Sequence, residues 1–150
     1  MIEISNLTTS EVDENFIKKI ADKVLKGELE ISKQRNIELS IAFIGQGRMR
    51  KLNKRYRKKN KVTDVLAFEE KKLPFEKFSQ ELQKIQGLGE IVICLREVKK
   101  NAKKYNSTFE KELGRVLIHG ILHFLGYDHE KSEDDARKIE EREEYYLGKA

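Results

Sequence analysis

A chain of 150 residues with a single cysteine and a single proline has room for one compact domain whose core needs no disulfide to hold it. Cys94, the only thiol, excludes a disulfide scaffold and fits a reducing cytoplasm, while no apolar run reaches the ~18–20 residues of a membrane span. The start, MIEISNLTTSEVDE, lacks the basic head and apolar stretch of an export signal. We therefore expect one soluble, cytoplasmic domain over residues 1–150, without membrane contact.

In chain order, residues 2–4 read as a short strand. Ser10 and Asp13 can cap a helix whose apolar positions Val12, Phe16, Ile20 and Val24 recur every four residues, and Gly27 ends it. Ile37, Leu39, Ile41 and Phe43 alternate with Glu38, Ser40 and Ala42, the period of a strand with one buried face. Beyond Gly45 and Gly47, helical spacing of Met49, Leu52 and Tyr56 predicts a helix with Tyr56 packed in the core; stacking on a nucleobase is the alternative role for that ring. Residues 62–68 (VTDVLAF) and 88–95 (LGEIVICL) predict two further strands. The segment between them, containing Pro74, reads as a mobile insertion with a short helix. A helix over 96–105 follows, and Ser107 with Glu110 forms a capping box opening the next one. Ser132 caps a last charged helix over about 133–146. This order gives an α+β domain: a single small mixed sheet of about four strands packed with helices.

Charge is unevenly placed. The formal net charge is +5, yet residues 48–61 hold nine Lys or Arg and no acid, whereas residues 130–144 hold eight acids against four bases. A solvated helix face accounts for many such runs, but nine cations without an acid exceed what solubility needs and point to an anionic partner. Arg48, Arg50, Lys51, Lys54, Arg55, Lys58, Lys59 and Lys61 are the candidates for holding the phosphates of a nucleic acid. Arg57, at the junction of helix and strand, can reach a phosphate beside a catalytic centre.

All three histidines fall within HGILHFLGYDH, residues 119–129. His119 and His123 share one helix face at i, i+4 spacing, Gly126 is a natural left-handed terminator, and the reversal brings His129 back as a third ligand. The spacing is that of the zinc run HExxHxxGxxH, which makes this a zincin-like metal-binding helix, with Gly120 in place of the glutamate that serves as general base. Three neutral imidazoles suit one zinc ion per chain, with nickel, copper or iron able to bind in vitro, and they leave one coordination position open. With no carboxylate ligand the ion keeps its full positive charge and favours an anionic substrate. Asp128 either accepts from an imidazole N–H behind the ligands or caps the turn locally.

HGILHFLGYDH, LNKRYRKKNKVTDVLAF and LGEIVICL together resemble the YbeY family of bacterial rRNA maturation factors. The resemblance implies a zinc-dependent endoribonuclease specific for single strands, acting in 3′-end maturation of small-subunit (16S) rRNA and in ribosome quality control. Its partners are then single-stranded RNA and the ribosome, its metal ligands are His119, His123 and His129, its functionally important arginine is Arg57, and Arg48, Arg50, Lys51, Lys54, Arg55, Lys58, Lys59 and Lys61 become its candidate RNA-binding residues. Val62, Ala67 and Glu69 stand where the family usually has proline, serine and proline, so no hydroxyl is available at the serine position. A zinc peptidase of metzincin-like geometry and a non-enzymatic ribosome-associated RNA-binding factor with a structural metal are the competing readings. The missing glutamate and the cationic flank oppose the peptidase.

Overall fold

The structure is a computed structural model that describes residues 2–29, 37–69, 86–127 and 132–148. Its strands are β1 (Ile2–Asn6), β2 (Ile37–Ile44), β3 (Val65–Glu69) and β4 (Gln86–Cys94). Its helices are α1 (Glu14–Glu28), α2 (Gln46–Arg57), α3 (Leu95–Lys104), α4 (Phe109–Phe124) and α5 (Glu133–Gly148). The element order is the expected one, and the fold is a small α+β domain. Strand order, which the sequence did not disclose, is β1-β2-β4-β3, with two parallel pairings and β3 antiparallel to β4.

Register places Ile4, Ile41, Ile91 and Ala67 in one row across the sheet. Leu39, Ile41, Phe43, Ile91 and Ile93 join the main core with α1, α3, α4 and α5. Ile44, Leu66, Val92 and Cys94 form a second core with Met49 of α2. Alternation in β2 predicts a single buried face, yet Ala42 and Ile44 are buried as well. Being an inner strand, β2 is covered on both sides.

Cap chemistry explains where the elements begin and end. Asp13 alone caps α1, its Oδ1 accepting from the Phe16 amide at 3.1 Å, while the Ser10 carbonyl accepts from Asn6 in the preceding turn. Gly27 does not end α1, which continues to Glu28. Its hydrogen side chain is needed for close packing instead, because a Cβ there would lie 2.4 Å from the Tyr146 hydroxyl. The expected capping box is also displaced: Thr108 caps α4, accepting from the Lys111 amide at 3.2 Å. Ser107 is committed to the turn that closes α3, where its amide donates to Ala102 at 2.8 Å. Ser132 caps α5 as expected. β3 starts at Val65, three residues later than the alternation suggests. The insertion lies mostly outside the described residues.

Helix α4 is the most deeply anchored element. Leu113, Val116, Leu117, Ile118, Ile121 and Leu122 are all buried, and each such side chain stabilises by roughly 1.5–3 kcal/mol. It packs on α1, α3, α5, β3 and β4. A side chain carried by α4 is therefore held by rigid surroundings.

Candidate metal and nucleic-acid site

His119 and His123 emerge from α4 where it leaves the core, and both are half-buried. Their ring centres are 5.3 Å apart with planes inclined at 62°. A tetrahedral ion held ~2.0 Å from one nitrogen of each ring requires centres roughly 5 Å apart, so this imidazole pair fits a zinc-type ion. The helix then stops in a Schellman motif: the Gly126 amide donates to His123 at 3.2 Å and the Tyr127 amide to Leu122 at 3.1 Å, with Gly126 at φ +100°. The glycine reversal is thus as expected. His129 and Asp128 lie beyond it, outside the described residues. Among the described residues no three His, Cys, Asp or Glu side chains form a metal cluster.

The reversal is tied down from behind. The Tyr127 hydroxyl donates to Glu28 at 2.5 Å, Tyr146 of α5 donates to the other oxygen of the same carboxylate, and Arg142 stands 3.8 Å away. Burial first, and the bond to Glu28 second, push both tyrosine hydroxyls above their ordinary pKa. One carboxylate on α1 therefore fixes both α5 and the turn leading toward His129.

The basic segment divides. All of Arg48, Arg50, Lys51, Lys54, Arg55, Arg57, Lys58, Lys59 and Lys61 are exposed. Arg48, Lys51 and Arg57 line a cleft of about 860 Å³ that also reaches His123 and has Ile44, Leu52, Phe68 and Val92 on its walls. Arg57, Lys59 and Lys61 line an adjoining cleft of about 260 Å³ together with His119, His123 and Asp64. Arg57 alone among the cations lines both. Arg50, Lys54, Arg55 and Lys58 line neither; Arg50 donates to Asn60 and Arg55 lies over the Tyr56 ring.

Tyr56 corrects the expectation of core packing. It is 54% exposed, sits on the wall of the larger cleft and meets Phe68 edge-on with ring centres 5.1 Å apart. Met49 and Asn53 take the buried side of α2, which turns Tyr56 outward. Asn53 is a buried amide that donates to the Lys61 carbonyl at 2.9 Å and so holds the cationic loop against its helix.

Two acids escaped the sequence reading. Glu143 of α5 is 8% exposed and its Oε1 lies 2.8 Å from His119 Nδ1. The signal was available: Glu143 falls in register with Ile139 and Tyr146, on the buried side of an otherwise solvated helix. Glu112, buried in the first turn of α4, has one oxygen without a hydrogen bond although Arg115 lies 3.6 Å away. Desolvation raises its pKa, outweighing Arg115. A carboxylate thus stands directly behind His119, in the outer role for which the sequence offered Asp128.

Gly120 follows His119 and faces the sheet. A Cβ there would come 3.2 Å from both Cδ1 and Cγ2 of Ile91. Ala67, in the row of Ile91, lines both clefts without a hydroxyl.

A mixed four-stranded sheet backing a histidine-bearing helix, with an arginine at the mouth of both clefts, defines a class of small α+β domains built around one polar site. The family model described as endoribonuclease YbeY matches residues 3–150, and the chain belongs to that family, whose members are named as nucleases, hydrolases of the phosphodiester bond. It is 41% identical to the endoribonuclease YbeY of Thermodesulfovibrio yellowstonii over 133 residues, covering 89% of this chain and 79% of that one. It is 39% identical to the Aquifex aeolicus YbeY over 114 residues, covering 76% and 71%. The solution structure of a Thermotoga maritima protein superposes with a TM-score of 0.62 at 28% identity, covering 98% of this chain and 87% of that one. No helix among the described residues is long and apolar enough to cross a membrane.

Proposed function

We propose that the chain is a zinc-dependent endoribonuclease of single-stranded RNA, serving 3′-end maturation of small-subunit rRNA and ribosome quality control in the cytoplasm. The observation that carries this reading is the meeting of His119, His123 and Arg57 around one cleft. Family membership supports RNA as the substrate, and the cationic rim suits its backbone.

His119, His123 and His129 would hold the ion. Zinc, when bound there, supplies Lewis acidity and a means of activating water near neutral pH. Arg57 offers a planar pair of donors to the scissile phosphate and offsets charge gathering on its oxygens. Arg48 and Lys51 draw the backbone along the larger cleft. Tyr56 and Phe68 give a base an aromatic surface at its wall, a contact open to any base and confined to strands free of a duplex. The residue after His119 takes no proton, because Gly120 has no side chain and Ile91 occupies the space one would enter. That contact also disfavours a peptidase that uses this helix in the HExxH manner.

The test sets single-stranded RNA beside an unfolded protein substrate, with and without a chelator, for wild type and His123→Ala. RNA cleavage is expected to vanish on chelation, return with zinc and be lost in the variant, leaving the protein substrate intact. Peptide cleavage that disappears in His123→Ala while RNA cleavage persists would replace the nuclease with a protease.

A further inference from the structure

We infer that Glu143 is the positioning residue of the site: its carboxylate fixes the tautomer and orientation of His119. The inference rests on the metal reading of the histidines and extends it to a helix remote in sequence. A carboxylate only accepts hydrogen bonds, so a neutral His119 ring facing Glu143 through Nδ1 carries its hydrogen on that nitrogen. Its Nε2 is then the atom that bears the donor pair.

The placement is costly without such a purpose. α5 has exposed positions for Glu133, Asp134, Glu140, Glu141 and Glu144, yet Glu143 points inward beside Ile139 and Tyr146. A buried carboxylate loses its hydration and needs a hydrogen-bonding partner in return. The His119 ring provides one, and Glu28 anchors α5 through Tyr146 so that the carboxylate holds its place. An outer carboxylate of this kind fixes the ring and raises the basicity of the nitrogen that ligates.

The experiment measures zinc affinity by competition with a chromophoric chelator, using the full chain as wild type, Glu143→Ala, Glu143→Gln and His119→Ala. Nitrogen-15 imidazole spectra of the metal-free proteins give a second readout that a merely structural carboxylate would not move. Wild type is expected to show His119 with its hydrogen on Nδ1. Glu143→Ala is expected to mix the tautomers and to weaken zinc binding by about 10–100-fold. Glu143→Gln, whose carbonyl still accepts, is expected to keep the tautomer and to recover part of the affinity. Wild-type affinity and tautomer in Glu143→Ala, with zinc binding lost in His119→Ala, would overturn the role of Glu143 and leave the metal site standing. Wild-type zinc affinity in His119→Ala would overturn the metal reading itself. Should Glu143→Ala fail to fold, Glu143→Leu, which fills the space without an acceptor, takes its place, and wild-type tautomer and zinc affinity in that variant overturn the proposal equally.

Discussion

Replacing Gly120 by alanine sets two opposing effects against each other at the residue after His119. Alanine in a helix interior is favoured over glycine by about 1 kcal/mol. The added methyl, however, sits 3.2 Å from two carbons of Ile91, inside the ~3.5–4.0 Å at which carbon atoms attract. Ile91 is fully buried on β4, which is hydrogen-bonded to β2 on one side and β3 on the other, so it has nowhere to retreat. Overpacking of a rigid core costs ~1–3 kcal/mol, and at this site the upper part of that range applies. The net expectation is a loss of about 1–2 kcal/mol.

Urea unfolding followed by circular dichroism, with chelator present so that metal linkage does not enter, measures that loss. Pairing the change with Ile91→Val tests its cause. Ile91→Val alone costs ~0.5–1.5 kcal/mol, but it removes the Cδ1 atom the new methyl strikes, so the double variant is expected to be roughly 1 kcal/mol more stable than additivity predicts. A Gly120→Ala protein as stable as wild type, or strict additivity with Ile91→Val, would refute the close-packing account. The helix would then be free to accept a side chain after His119.

Tyr56→Ala is expected to weaken single-stranded RNA binding by ~1–3 kcal/mol in a fluorescence-anisotropy titration while changing stability by less than about 0.5 kcal/mol; a stability loss without a binding loss would return the ring to the core. Glu112→Gln is expected to stabilise the protein by about 1 kcal/mol at neutral pH. Burial raises the folded-state pKa of Glu112, so its favourable contribution is complete below the unfolded value of ~4.3 and is lost as pH rises through the folded one. The advantage of the glutamine should therefore shrink toward pH ~4 in denaturation series. Tyr146→Phe removes a hydrogen bond to a carboxylate and should cost ~1.5–3 kcal/mol at neutral pH. Because burial and Glu28 raise the Tyr146 pKa, its contribution is complete below the unfolded value of ~10 and fades at more alkaline pH, where the gap to wild type should narrow.

Much of this fold could be read from the chain because periodicity survives wherever one face is buried. The element order and the stop at Gly126 follow from local chemistry, and so does the capping of α5 by Ser132. Elements were misjudged where a distant contact overrides a local preference. Gly27 reads as a terminator but serves as a gap for Tyr146, 119 positions further along the chain. Tyr56 keeps helical register with Met49 and Leu52, yet Asn53 fills the buried side because the Lys61 carbonyl needs a donor there. Of the candidate site, the imidazole pair was legible because its spacing is local. The partnership of His119 with Glu143 was not, since it depends on which face of α5 meets α4. Only the conjunction of Ile139, Glu143 and Tyr146 hinted at it.

Charge is arranged in depth around α4. Exposed cations of α2 and the following loop stand in front of the imidazoles, and the carboxylate of Glu143 stands behind. A divalent ion between them would be repelled by the cations unless something offset their field. A carboxylate in hydrogen-bond contact with the His119 ring would do so more effectively than a distant one, because Coulomb energy falls with distance and solvent screens the exposed side more than the buried side. Asp64 shares the smaller cleft with Arg57, Lys59 and Lys61, and Glu90 the larger one with Arg48, Lys51 and Arg57, so cations outnumber acids in both. An acid at the back of the helix would therefore serve both needs: a bound ion would have a compensating charge, and the clefts would keep their excess of cations for a phosphate.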